Sequence, residues 1–130
     1  MKAYISISYS KRKQLEKEVQ AIKNALQKFE ISAFVFVDEH QFSASEEEKL
    51  MNQAMKDIDE CDFLIAETSE KAIGIGVEVG YAKAKNKPII YLRNSKSEHS
   101  TTVSGISNFR IFYDDDKDLE EKLINTIKKF

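Results

Sequence analysis

The run Phe63-Leu64-Ile65-Ala66, followed by Gly74-Ile75-Gly76-Val77-Glu78-Val79-Gly80 and then Tyr81-Ala82-Lys83-Ala84-Lys85, decides how this chain is read. A short apolar run, a glycine-bearing turn and a helical stretch give strand, turn, helix, with Glu78 as a lone carboxylate in the helix's first turn. Glycines there let the backbone take positive φ and let a ligand approach it closely. A helix N-terminus presents unpaired N–H groups and partial positive charge, which favours an ionised Glu78 and attracts anions. A poised carboxylate beside an anion-friendly pocket is a starting point for chemistry on a sugar or nucleotide.

Working outward, the same strand–helix rhythm fills the chain. Ala3-Tyr4-Ile5-Ser6-Ile7-Ser8 alternates as a first strand. Leu15, Val19, Ile22, Leu26 and Phe29 then form the apolar stripe of an amphipathic helix. Ile31 to Val37, rich in β-branched and aromatic residues, is the expected second strand. Ser45-Glu46-Glu47-Glu48 reads as a capping box opening a second helix, with Leu50, Met51, Ala54, Met55 and Ile58 on its apolar face. The Glu78 helix is expected to run to about Asn86-Lys87, where Pro88 stops it. Strands at Pro88–Leu92 and Phe109–Tyr113 follow, and a helix carrying Leu119, Leu123, Ile124, Ile127 and Phe130 closes the chain. Strict alternation predicts a three-layer α/β fold: a doubly wound, five-stranded parallel sheet of order 2-1-3-4-5, flavodoxin- or Rossmann-like. Ligands of such sheets sit at the carboxyl ends of the strands. The polar segment from Asn94 to Asn108 breaks the rhythm and reads as a long functional loop.

Composition narrows the function. The 130 residues make one domain, 1–130, with 42% hydrophobic and 32% charged residues, as ordinary globular proteins have. A net charge of −2 argues against a broad nucleic-acid-binding face. The single cysteine, Cys61, excludes an internal disulfide and a cysteine-based zinc cluster, and reads as a small buried hydrophobe. No apolar run reaches the length of a membrane span, and Met1-Lys2 leads straight into a strand without a signal-peptide pattern, so the expectation is a cytoplasmic protein with no membrane partner.

Asp62 to Glu67, Gly74 to Ala82 and Lys87 to Leu92 together resemble the nucleoside 2-deoxyribosyltransferase family, most closely its 2′-deoxynucleoside 5′-phosphate N-hydrolase branch. Tyr4 to Ser8 share the resemblance moderately, and Lys11 to Met51 only in general pattern. The resemblance implies that Glu78 attacks the anomeric carbon of a nucleoside or nucleotide and displaces the base, as in retaining glycosidases. It implies that Tyr4 assists as an orienting hydroxyl. It also implies that Ser8 and Ser104 hold a 5′-phosphate, with Ser104 reaching a neighbouring subunit's site in a homo-oligomer. Gly74 and Gly76 would cradle the ligand. No metal or organic cofactor is implied, because the carboxylate supplies the covalent step.

Three positions depart from the family's pattern. Ala54 stands where the family has an aspartate, with Asp57 one helical turn further on as its candidate substitute. Ala72 replaces a phosphate-binding serine, and Ser10 replaces an arginine although Lys11 and Arg12 follow. Ala54 and Ala72 keep open a second class: a non-catalytic nucleotide-binding or signalling module on the same scaffold, of Toll/interleukin-1 receptor type. A response-regulator receiver fits less well, since the first strand ends in Ser8 rather than an acidic cluster. On the bland side, Tyr4 reads as a sheet-face tyrosine, Ser8 and Ser10 as helix caps, and His99 as a solvated loop histidine.

Overall fold

The computed structural model describes residues 1–130. Its elements are β1 (Lys2–Ser6), α1 (Glu16–Gln27), β2 (Ser32–Val35), α2 (Phe36–Glu39), α3 (Glu47–Asp59), β3 (Phe63–Glu67), α4 (Ile73–Ala84), β4 (Ile89–Asn94), α5 (Thr101–Gly105), β5 (Phe109–Tyr113) and α6 (Asp116–Ile127), with single 3-10 turns leading into α1 and α3. The five strands form one parallel sheet of order β2-β1-β3-β4-β5, as the alternation predicts.

Period-two alternation sorts the strand side chains between the two faces. Ala3, Ile5 and Ile7 join Ile65, Leu92 and Ile111 beneath α1 and α6. Tyr4, Leu64, Ala66 and Tyr91 face the opposite way, against Ala54 and Ile58 of α3 and Val79 and Ala82 of α4. β3, the central strand, is buried along its whole length. Its register sets Tyr4 beside Leu64 and Ser6 beside Ala66. The carboxyl ends of β1 and β3 therefore open toward the start of α4.

Several local expectations shift. β2 ends at Val35, and Phe36–Glu39 turn into a helix instead of extending the strand. Phe36 is buried against Tyr4 there, and the Arg12 guanidinium ties the segment from outside, its Nε and Nη2 each donating to Asp38 at 2.8 Å. The capping box lies two residues earlier than its sequence reading. The Glu46 carboxylate accepts from the Ser43 backbone N–H and hydroxyl at 3.0 and 2.9 Å, and α3 starts at Glu47. α4 ends at Ala84, before Pro88, because Asn86 takes a left-handed φ of 60°. The Asn94–Asn108 segment is not all loop. Ser100 caps the short helix α5, whose Val103 is buried.

Candidate active site

Glu78 lies at the wall of a cleft above the carboxyl ends of β1 and β3. Its helix begins at Ile73, so Glu78 stands in the second turn, and no acidic residue occupies the first. That corrects the sequence reading, and so does the backbone: no glycine has positive φ, and Gly74, Gly76 and Gly80 are all helical. Gly74 instead helps line the cleft by lacking a side chain.

The Glu78 carboxylate is held by two hydroxyls from one strand. The Tyr4 hydroxyl donates to Oε2, and the Ser6 hydroxyl donates to Oε1 at 2.6 Å. Residues two apart on a strand share a face, which is why both reach the same helix. Tyr4 is fully buried, with its ring against Phe34 and Phe36 at 5.9 and 6.0 Å. Burial raises the Glu78 pKa above the ordinary carboxylate value, and the Ser6 and Tyr4 hydrogen bonds pull the other way. The balance is the reverse of a helix-dipole-stabilised surface acid. Burial and then the Glu78 charge push the Tyr4 phenol well above its ordinary value, so it stays a donor.

The cleft has a volume of about 350 Å³ and mostly apolar walls, among them Ile7, Phe36, Phe42, Leu50, Ala54 and Ile75. His40 also faces it. Its ring lies 4.9 Å from that of Phe36, and its Nε2 is 2.9 Å from Asp57 Oδ2. Asp57 is 7% exposed and receives a second hydrogen bond from the Gln53 side chain at 2.9 Å. Asp57 therefore reaches the cleft through His40. Ala54 lies on the wall itself.

The remaining sequence candidates are placed differently. Ser8 is fully buried and does not line the cleft; its Oγ accepts from the Lys11 N–H at 3.3 Å and lies 3.4 Å from Ser10 Oγ. These contacts lie in the turn that leads from β1 to the first 3-10 turn. Ser104 is 6% exposed, and its hydroxyl accepts from Arg110 Nε at 3.0 Å. The outward-facing hydroxyls of that helix are those of Thr101 and Thr102. Gly76 lines a second, more open groove with Thr68, Lys71, Ser100 and Thr102, separated from the first by Ala72 and Ile75. His99 is exposed, with Nδ1 3.1 Å from the Tyr91 hydroxyl. Cys61 is 2% exposed, and burial pushes its thiol up to about 11, in keeping with an inert core residue.

Ser6 and His40 are the site residues that sequence reasoning missed. Alternation could have found Ser6, since it shares a face with Tyr4. His40 gave no comparable signal, because its partner Asp57 lies 17 residues away on another element.

Comparison with known proteins settles the family. The family model described as nucleoside 2-deoxyribosyltransferase matches residues 4–127. The chain belongs to this family. Two curated relatives carry the name "Putative 2'-deoxynucleoside 5'-phosphate N-hydrolase 1". The relative from Syntrophotalea carbinolica is 39% identical over 54 residues, which cover 42% of this chain and 38% of that protein. The relative from Thermofilum pendens is 37% identical over 71 residues, covering 51% and 50%. The chain thus matches half or less of the length of these relatives. Among solved structures, a CMP N-glycosidase of Clostridium botulinum superposes with a TM-score of 0.71 at 21% identity, covering 95% of this chain and 98% of that one. A 2-deoxyribosyltransferase of Bacillus psychrosaccharolyticus gives 0.69 at 16% identity, covering 95% and 96%. At such identities these likenesses concern the fold. No helix is long and apolar enough to cross a membrane.

Proposed function

We propose that this protein is an enzyme that breaks the base–sugar bond of a (deoxy)nucleoside or its 5′-monophosphate, with Glu78 as the nucleophile. The observation that carries the reading is the Glu78 carboxylate, clamped between the Tyr4 and Ser6 hydroxyls at the edge of an apolar cleft. A carboxylate held this way keeps one orientation and needs no reorganisation as positive charge develops on the sugar. Its Oε attacks C1′ while the C1′–N bond breaks, giving a glycosyl-enzyme ester. Water, or a second base, then attacks C1′ and restores the carboxylate. Partial desolvation raises the energy of the anion, so forming the ester relieves a cost already present in the resting site. The apolar walls suit a flat heterocycle, and Ala54 leaves room for it.

We also infer a homo-oligomer that completes the site. Ile73 is 90% and Val77 48% exposed on α4, beside exposed Gly76 and Gly80, and an apolar helical face of this kind calls for a covering partner. Thr102, exposed at the start of α5, lines the second groove together with Ile73 and Gly76 of that face, where a ligand's phosphate or sugar hydroxyls would be met. Light scattering is expected to give at least a dimer; a monomer mass at working concentration would remove the shared site.

The test of function is incubation with a panel of ribo- and deoxynucleosides and their 5′-monophosphates, read by chromatography for free base. Release from one member is the expected result. Binding without release from any member would favour a non-catalytic nucleotide-binding module instead.

A further inference from the structure

We propose that the Glu78 cleft takes its substrate as a nucleoside with a free 5′-hydroxyl, and that the charge of its walls excludes the 5′-monophosphate. The inference rests on the N-glycosidic reading of that cleft and decides which form of substrate the cleft accepts. A 5′-phosphate carries a charge of about −2 near neutral pH. It hangs from the same sugar whose C1′ meets Glu78, so it stays inside the cleft or at its rim. An anion taken out of water there needs cations or a full set of donors.

No lysine or arginine lines the cleft. Its ionisable groups are the carboxylates of Glu78 and Glu47, the exposed Tyr9 phenol and the His40 ring. His40 Nε2 faces Asp57 Oδ2 at 2.9 Å, and that pair adds no net positive charge whether or not the ring is protonated. The cations around the rim are taken. Arg12 pairs with Asp38 at 2.8 Å and with Glu16 at 3.2 Å. Lys71, in the second groove, pairs with Glu98 at 2.8 Å. Lys11 is exposed and stands outside both linings.

Most hydroxyls near the cleft are engaged as well. The Ser43 hydroxyl donates to Glu46 at 2.9 Å, the Thr68 hydroxyl donates to the Leu92 carbonyl at 2.8 Å, and Ser100 caps α5. Ala72 and Ile75, which border both grooves, end in methyl groups. The start of α4 does favour an anion, since its first turn contains no acid and Ala72 supplies no side-chain cap. That end is worth about half an elementary positive charge. It does not balance a group of about −2 that faces Glu78 and Glu47 across poorly screening apolar walls. What stays free at the rim is uncharged: the Tyr9 phenol, the Thr102 hydroxyl and the first N–H groups of α4. These suit a 5′-hydroxyl, which gives and takes hydrogen bonds without charge.

The experiment uses matched sets that share base and sugar: the nucleoside, its 5′-monophosphate, and its 5′-O-sulfamoyl derivative, which is tetrahedral like the phosphate but uncharged. Wild-type kcat/KM for base release is expected to be at least about tenfold higher for the nucleoside than for the monophosphate, with the sulfamoyl compound close to the nucleoside. Ala72→Lys, which sets an ammonium on the wall shared by both grooves, is expected to raise the monophosphate-to-nucleoside ratio by about tenfold or more. A monophosphate turned over as well as the nucleoside, or better, would overturn the inference. So would a sulfamoyl compound rejected as strongly as the monophosphate, since exclusion would then follow size and not charge, and so would an unchanged ratio in the folded variant. If Ala72→Lys fails to fold by thermal melting, the two wild-type comparisons decide. A wild type that releases base from no member of any set would overturn the N-glycosidic reading itself, and this inference with it.

Discussion

Two carboxylates, one buried and one half-buried, stand near the carboxyl edge of the sheet, on opposite faces, and they are built almost alike. Glu78 accepts from Tyr4 and Ser6; Glu67, at the end of β3, accepts from the Tyr113 hydroxyl and the Ser69 N–H, each at 2.6 Å. Each pairs a glutamate with a tyrosine and a serine, and burial raises the pKa of each. Their surroundings differ. Glu67 is 0% exposed beneath the α1/α6 layer, and Ser69 ties it to the ends of β4 and β5 through Asn94 and Tyr113. Glu78 opens on a cavity of about 350 Å³. The lesson is that a perturbed carboxylate with matched donors does not by itself make an active site. What distinguishes Glu78 is the open space beside it. Glu67 pins three strand ends together, whereas Glu78 borders an open cavity.

The sharpest way to break this comparison is to neutralise each acid in turn. Glu78→Gln removes the nucleophilic charge with almost no change of shape, and base release is expected to fall by about 10³-fold or more. Glu67→Gln is expected to keep turnover within a few-fold. Steady-state kinetics on the substrate found by the panel checks both. Turnover surviving in Glu78→Gln, or lost in Glu67→Gln, would reverse the roles assigned to the two sites.

Much of this was legible in the sequence, for definite reasons. The five strands, their order and the candidacy of Glu78 rest on periodicity and on the strand-turn-helix run around Gly74–Gly80, all of which are local signals. What was not legible depends on tertiary placement. No local signal announces that Ser8 Oγ accepts from the Lys11 N–H, or that Ser104 Oγ accepts from Arg110. His40 and Asp57 meet because the chain leaves β2 as α2, where Phe36 is buried and Asp38 pairs with the distant Arg12. Glu67 reads as the last residue of an apolar strand. Its environment is assembled by Tyr113, 46 residues away.

The second prediction concerns stability. Burial pushes Glu67 from its ordinary 4.5 up to about 7. The folded state therefore binds this proton more tightly than the unfolded chain does. The associated stability is full below about pH 4.5, declines as pH rises toward 7, and is gone above it. The shift corresponds to about 3 kcal/mol between those limits. Glu78 has a raised pKa as well and adds a slope of the same sign. The measurement is therefore made in the Glu78→Gln background, with urea unfolding followed from pH 4.5 to 8. Adding Glu67→Gln is expected to flatten the curve. A slope unchanged by that substitution would mean that Glu67 is not the group that titrates.

The smallest effects are expected from the paired tyrosines, and they separate the two sites most finely. Tyr4→Phe removes a donor to the ionised Glu78 and leaves the ring packing on Phe34 and Phe36 intact. The hydrogen bond favours the charged form, so its loss raises the Glu78 pKa further. The nucleophile must be ionised, so activity falls as pH drops through that pKa, and the acid limb of kcat/KM moves to higher pH in the variant. A loss of about tenfold at neutral pH, smaller at pH 8 than at pH 6, is the expected size for one hydrogen bond to a charged group. Tyr113→Phe removes the matching donor from Glu67. It is expected to cost about 1–2 kcal/mol of folding stability while leaving the pH–rate profile in place. The two variants therefore move different observables: one a kinetic pH limb, the other an unfolding midpoint. If Tyr113→Phe displaced the acid limb, or Tyr4→Phe left it in place, the contrast between an open and a closed carboxylate would not hold.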